Sequence, residues 1–297
     1  MSATAVLVTG GHGFLGRAVV EQVRSRAPEA LLHVPDRDAL ELTGSGVDAQ
    51  LREFRPSLVL HVAGRLTGTE EELRRDNDEA ARRLFESCAR LDPRPRIVLA
   101  GSAAVYGVGG TDEHPVDETW TPAPRGAYAE TKYAAERHAL GYAATGGEVV
   151  IARESNPVGP GMGDHLLCGT VARQIVAIER GDQPPVIELR DLSPVRDFLH
   201  VADAAEALWH LALHGVPGEA YNVAAGRSVV VRTMVETFLR LARVSGIEIR
   251  STKSDVGRSP LHEQYLSIAK LNDAGWSPSR DLARAAADLL EWRRAPS

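Results

Sequence analysis

The chain has 297 residues, 43% of them hydrophobic and 25% charged, with a formal net charge of −6. That length can bury a sizeable core as one large domain or two small ones, and the mildly acidic balance gives no reason to expect nucleic acid or an anionic membrane as a partner. Two cysteines imply no disulfide framework, no apolar run reaches the ~18 residues of a membrane span, and no signal peptide is evident, so a cytoplasmic protein is expected.

The first half alternates strand and helix signals. Thr4 to Gly10 (TAVLVTG) is a short apolar, β-branched run closed by glycine, which reads as a strand buried on both faces. Gly13 to Ala27 then spaces Leu15, Val19 and Val23 at helical intervals. Strands follow at Ala30 to Val34, Ser57 to Gly64, Arg96 to Ser102 and Glu148 to Glu154. Between them lie a short helix near Val47 to Phe54 and a long amphipathic one over Glu71 to Leu91. Strands separated by helices predict βαβ crossovers and a parallel sheet covered on both faces.

The second half is less regular. Glycine and proline cluster at Asn156 to Asp164 and at Gly181 to Pro185, and helices are expected over Leu166 to Arg180, Ala202 to His214, Val231 to Val244 and Leu282 to Trp292. The reading is an α/β, Rossmann-type doubly wound parallel sheet over 1–156, with a segment near 190–215 returning to it. A smaller C-terminal substrate-binding lobe takes up most of 157–297.

Gly10, Gly13 and Gly16 follow the first strand and open the first helix. A dinucleotide needs such a loop: the chain turns sharply, a pyrophosphate approaches the backbone, and the helix packs on the sheet, each step disfavouring a Cβ. The phosphates would sit at the helix N-terminus, where free N–H groups and the dipole favour anions. After the second strand, Asp36 and Arg37 stand side by side. An acid there would bind the ribose hydroxyls of NAD, an arginine the 2′-phosphate of NADP. The reading leans to NADP(H), with NAD(H) as the alternative, and Arg17 would also reach that phosphate.

Lysine occurs only three times among 34 basic side chains, and one of the three, Lys132, lies four residues after Tyr128. Chance places only about 0.06 Tyr-x-x-x-Lys pairs in such a chain. On a helix the two side chains share a face. Hydride reduction of a carbonyl needs a proton for the developing alkoxide, and a nearby ammonium is expected to bring the tyrosine pKa down toward the working range.

These motifs resemble the short-chain dehydrogenase/reductase superfamily, and TGGHGFLG (Thr9 to Gly16) is especially similar to its extended, epimerase/dehydratase branch. The stretch Leu99 to Gly107 (LAGSAAVYG) resembles that branch's Ser/Thr-x-x-Val-Tyr-Gly and puts Ser102 beside Tyr128 and Lys132 as the third catalytic residue. The resemblance implies cofactor contacts from Gly10, Gly13, Phe14, Leu15 and Gly16, from Asp36, Arg37 and Leu42, from Val62, Ala63 and Gly64, and from Tyr128 and Lys132. It implies substrate contacts from Ala103, Asn156, Arg196 and Arg258, an Asn77 that supports the sheet and active site, and a homodimer through two amphipathic helices. No metal site is expected.

Departures from the branch narrow the reaction. Ala103 and Ala104 stand where sugar dehydratases carry an Asp-Glu pair, and the cysteine of the GDP-fucose synthase type is absent. The second half is most similar to GDP-4-keto-6-deoxymannose reductases, so the expected substrate is a ketone, a 4-keto nucleotide-linked deoxysugar. Alternatives are a ketoreductase of polyketide or aromatic natural products, a nucleotide-sugar 4-epimerase, and an NADP-binding regulator without turnover. Glu154 and Ser155 replace the usual aromatics before Asn156, and Ser267 replaces an acid near the C-terminus. His165 and Cys168 fit no catalytic pattern.

Overall fold

The computed structural model describes residues 4–37, 40–44, 46–107, 109–251 and 263–296. The apolar run after Thr4 forms β1 (Ala5–Thr9), and the glycine loop leads into α1 (Phe14–Arg26). Next come β2 (Leu31–His33), α2 (Val47–Phe54) and β3 (Leu58–His61). The long amphipathic segment is α3 (Glu70–Leu73) and α4 (Ala80–Ala89), joined by a π-helical stretch at Arg74–Glu79. Thr69 caps its start: its side chain accepts from Glu72 N while the Glu72 carboxylate accepts from Thr69 N.

β4 (Arg96–Ala100) is followed by a 3₁₀ turn at Ala103–Tyr106, then α5 (Ala127–Ala144) and β5 (Val149–Glu154). The remaining elements are β6 (Asn156–Val158), α6 (Leu167–Arg180), β7 (Val186–Leu189), β8 (Val195–His200), α7 (Val201–His214), β9 (Ala220–Val223), β10 (Ser228–Val230), α8 (Val231–Arg240), β11 (Glu248–Ser251), α9 (Ala269–Asp273) and α10 (Leu282–Arg294).

Six strands make one sheet in the order β2-β1-β3-β4-β5-β9, every neighbouring pair parallel. Parallel strands need crossovers that cover both faces, and the core divides accordingly. On one face Val19 and Val23 of α1 and Leu208 and Leu211 of α7 pack with Val6, Val8, Leu60 and Val98. On the other, Leu51 of α2, Leu84 and Phe85 of α4 and Ala135, Ala139 and Tyr142 of α5 pack with Leu7, Val59, Ile97 and Leu99. A third cluster joins α6, α8 and α10 around Ile175, Met234, Phe238 and Leu289.

Some details differ from the sequence reading. Ala220–Val223, where sequence reading predicts no strand, is the sixth strand of the sheet and pairs with β5. Within the segment near 190–215, α7 packs on the main sheet, and β9 joins that sheet just beyond it. β8 pairs instead with β6 and β10 in a small separate sheet. The expected strands and helices agree to within a few residues; β6, β7, β8, β10, β11 and α9 have no counterpart in the sequence reading. No helix among the described residues is long and apolar enough to cross a membrane.

Candidate active site

The strand order reverses between β1 and β3, and ligands bind open α/β sheets at such a switch point, outside the carboxyl ends of the strands. A cavity of about 1260 Å³ opens there. Its wall takes in the glycine loop, the β3 end, Ser102, Tyr128 and the β6–α6 segment.

The loop geometry separates the three glycines. Gly10 has φ +72°, and a Cβ on it would lie 2.6 Å from Ala63 Cα. A Cβ on Gly16 would lie 2.0 Å from Gly10 O, so close packing of the loop excludes it. Gly13 is different: its Cβ would meet only Gly10 O, at 3.2 Å. Gly13 is the N-cap of α1, with no side-chain cap and no acid in the first turn. The first N–H groups of the helix thus have no partner from a capping side chain, on a helix end lined into the cavity by Gly13, Phe14, Leu15 and Gly16. That arrangement fits the pyrophosphate of a dinucleotide.

Asp36, Arg37 and Leu42 line the same cavity, as do Val62, Ala63 and Gly64 after β3. Arg37 Nη2 donates to Asp76 Oδ1 at 2.8 Å, and Asp76 also accepts from Arg65 Nε at 2.6 Å and Arg75 Nε at 2.8 Å. Partial burial works to raise the Asp76 pKa, but hydrogen bonds from Arg75 and Arg65 and the Arg37 charge outweigh it and hold the carboxyl at about 2. Asp76 lies on the π-helical stretch, and sequence reading gave it no role. Arg17 is not in this cavity: its Nε donates to His12 O at 3.1 Å, and it lines a smaller cleft beside Gly11 and Val34.

Ser102 caps the 3₁₀ turn, its Oγ accepting from Ala104 N at 3.2 Å, and it shares the cavity wall with Tyr128. Tyr128 and Lys132 lie one turn apart on α5. Lys132 is buried, and its Nζ donates to Ala100 O at 2.5 Å. Thr131 of the same turn is fixed by Asn77, whose Nδ2 donates to Thr131 Oγ1 at 3.0 Å and to Arg65 O at 2.9 Å.

The expected lowering of the tyrosine pKa is not what this site does. Burial holds the Tyr128 phenol above its ordinary value; the Ser102 hydroxyl pulls it down and the Glu154 charge pushes it up. Lys132 is itself desolvated, which lowers its own pKa, while Glu154 and Glu136 oppose that loss. His61, buried with Nδ1 2.7 Å from Thr9 Oγ1, is driven to about 3 by burial and by the Lys132 charge, so the imidazole is neutral.

Beneath the site, Arg153 holds Glu136 through Nη2 at 2.9 Å and donates Nη1 to Tyr106 OH at 3.0 Å. Tyr106 OH donates to Asn222 Oδ1 at 2.7 Å. This buried chain ties β5, α5, the 3₁₀ turn and β9 together.

At the other end of the cavity Ala103, Asn156 and Arg196 are on the wall. Asn156 Nδ2 donates to Asp197 O and Gln264 Oε1, each at 2.8 Å. Arg196 Nη1 donates to Val195 O at 2.8 Å, and burial lowers its pKa. Arg258 lies outside the described residues. His165 and Cys168 also line this end, Cys168 as a buried thiol whose pKa burial raises. Among the wall residues that sequence reading did not place in the site are Arg125, Glu154 and Gln264. Among the described residues no group of three His, Cys, Asp or Glu side chains could hold a metal ion.

Comparison with known proteins agrees with this geometry. Residues 6–224 match the model of the NAD dependent epimerase/dehydratase family. GDP-6-deoxy-D-mannose reductase of Pseudomonas aeruginosa is 31% identical over 97% of this chain and 96% of its own. dTDP-6-deoxy-L-talose 4-dehydrogenase (NAD(P)(+)) of Kitasatospora kifunensis is 28% identical over 96% of this chain and 94% of its own. The solved structure of RMD from Pseudomonas aeruginosa complexed with NADPH superimposes with a TM-score of 0.88 at 27% identity, covering 98% of this chain and 99% of that one. The chain belongs to the NAD dependent epimerase/dehydratase family, the extended branch of the short-chain dehydrogenases/reductases, and is an NAD(P)-dependent oxidoreductase.

Proposed function

We propose that the protein reduces the 4-keto group of a nucleotide-linked deoxysugar, with Ser102, Tyr128 and Lys132 as its catalytic residues. The observation that carries this reading is Ser102 and Tyr128 together on the cavity wall, with Lys132 buried one turn along α5. A nicotinamide held in this cavity would supply hydride chemistry at the carbonyl carbon. Tyr128 then serves as proton donor to the carbonyl oxygen, a role suited to a phenol that burial keeps protonated at neutral pH. The Ser102 hydroxyl hydrogen-bonds the same oxygen as its charge grows. Lys132 holds positive charge where the phenolate forms and recovers its proton.

Gly13 and the start of α1 would hold the pyrophosphate, and Asp36, Arg37 and Leu42 the adenosine end. Arg37 supports NADP(H), with NAD(H) as the alternative. Ala103 and Ala104 line the cavity where elimination would need an acid and a base, which supports reduction over dehydration. The activities of the two relatives, both on nucleotide-linked deoxysugars, support a nucleotide sugar as substrate. Asn156 and Arg196 would meet its diphosphate end, together with Arg125. This reading includes a cytoplasmic homodimer through α4 and α5, where Leu140 is 46% exposed. Sedimentation as a monomer would overturn the dimer.

Tyr128→Phe tests the catalytic assignment. It should cut turnover by about 10²–10⁴-fold and leave the NADPH dissociation constant nearly unchanged, since only the proton donor is lost. Normal turnover by the variant would refute the mechanism.

A further inference from the structure

Glu154 is the last residue of β5, and nothing in the reaction above uses it. It lines the cavity on the stretch that also holds Ser155 and Asn156, and it is only 9% exposed. Its Oε1 is buried and has no hydrogen-bond partner among the described residues. A buried carboxyl oxygen in that state is costly unless something fills the need.

The protein's own cations are committed elsewhere. Arg153, the neighbour on β5, is taken by Glu136 at 2.9 Å. Lys132 is near enough for its charge to be felt at Glu154, yet its Nζ donates to Ala100 O, and no Lys132–Glu154 ion pair is among those of the described residues. The open side of the carboxyl is the cavity, which Tyr128 and Ser102 share.

We propose that Glu154 is a substrate-specificity residue, its carboxyl accepting a hydrogen bond from a hydroxyl or amino group that the substrate carries beside the carbon being reduced. The proposal rests on the ketoreductase reading of the same cavity. It also accounts for a carboxyl where an aromatic is usual: an aromatic edge offers the substrate packing, whereas a buried carboxyl selects for a donor.

The test compares GDP-4-keto-6-deoxy-D-mannose with its 3-deoxy and 3-amino-3-deoxy counterparts, for the wild type, Glu154→Gln and Glu154→Ala. NADPH binding is measured in parallel to establish that each variant is folded. The wild type should prefer a donor-bearing sugar over the 3-deoxy one by about 100-fold in kcat/KM, and the faster of the hydroxyl and amino sugars identifies the donor. In Glu154→Ala that preference should collapse to within about 3-fold while NADPH binding stays intact. Discrimination that survives in Glu154→Ala, or is absent from the wild type, overturns the proposal alone. Failure of the wild type to reduce any of the three sugars overturns the ketoreductase reading and this proposal with it.

Discussion

Lys132 on α5 donates its ammonium to the carbonyl of Ala100, the last residue of β4, at 2.5 Å. One bond therefore fixes a helix to the sheet and sets a positive charge one turn from Tyr128. The pocket is buried, so the slender four-carbon stem matters as much as the charge. Arginine brings a planar fork that this space does not accept. Both Lys132→Arg and Lys132→Met should lose at least about 10²-fold in turnover, read from NADPH consumption. A Lys132→Arg enzyme within a few-fold of wild type would show that any cation suffices.

The glycine loop makes a sharper prediction, because two of its glycines serve different ends. A Cβ on Gly16 would overlap the Gly10 carbonyl at 2.0 Å, so Gly16→Ala should cost stability, about 3 kcal/mol or more in denaturant unfolding. A Cβ on Gly13 meets one atom at 3.2 Å and otherwise points where the pyrophosphate would come. Gly13→Ala should stay within about 0.5 kcal/mol of wild type and bind NADPH far more weakly. Equal loss of stability in both variants would refute the division.

Arg37 is held to Asp76 at 2.8 Å and is largely exposed, so it can exchange that partner for a phosphate. Arg37→Ala should weaken NADPH by about 10-fold, the scale of one charge-assisted hydrogen bond, and leave NADH within about 2-fold. Fluorescence titration with both cofactors decides it. Equal effects on the two would remove Arg37 from 2′-phosphate recognition.

Glu154 gives a signature in stability against pH. Burial pushes its carboxyl up from 4.5 to about 8, with Lys132 opposing. The folded protein therefore keeps a proton that the unfolded chain has released, and unfolding stability falls as pH rises from 4.5 to 8. Glutamine cannot release that proton. The melting temperature of Glu154→Gln should rise relative to wild type as pH goes from 4.5 to about 8, level off above that, and converge with it below 4.5. Parallel curves would mean that Glu154 is ionised throughout.

Much of this was legible in the sequence because the signals were local. Five of the six sheet strands are apolar runs ended by turn residues, and the Gly10 loop and the Tyr128–Lys132 pair are fixed spacings along one chain segment. β9 escaped because Ala220–Val223 is four residues long and carries Asn222, a polar side chain buried only because Tyr106, Val116 and Ser267 supply its partners from distant segments. Asp76 escaped for the same reason: in the charged run Arg74–Glu79 nothing marks which carboxylate gathers three arginines from two other loops and its own turn. Glu154 was visible as a departure from the family pattern, but β5 is buried along its whole length, so no alternation showed that this side chain meets the cavity. The direction of the Tyr128 pKa could not be read either, since it depends on burial rather than on the neighbouring lysine.

The central claim is carbonyl reduction coupled to NADPH oxidation. The direct measurement supplies purified protein with GDP-4-keto-6-deoxy-D-mannose and NADPH, follows NADPH absorbance, and identifies the sugar by mass spectrometry. One NADPH should be consumed for each 6-deoxy sugar alcohol formed, and about 10²–10⁴-fold more slowly with Tyr128→Phe. A sugar that changes configuration with no net NADPH loss, or that remains the ketone while NADPH is unchanged, would contradict it.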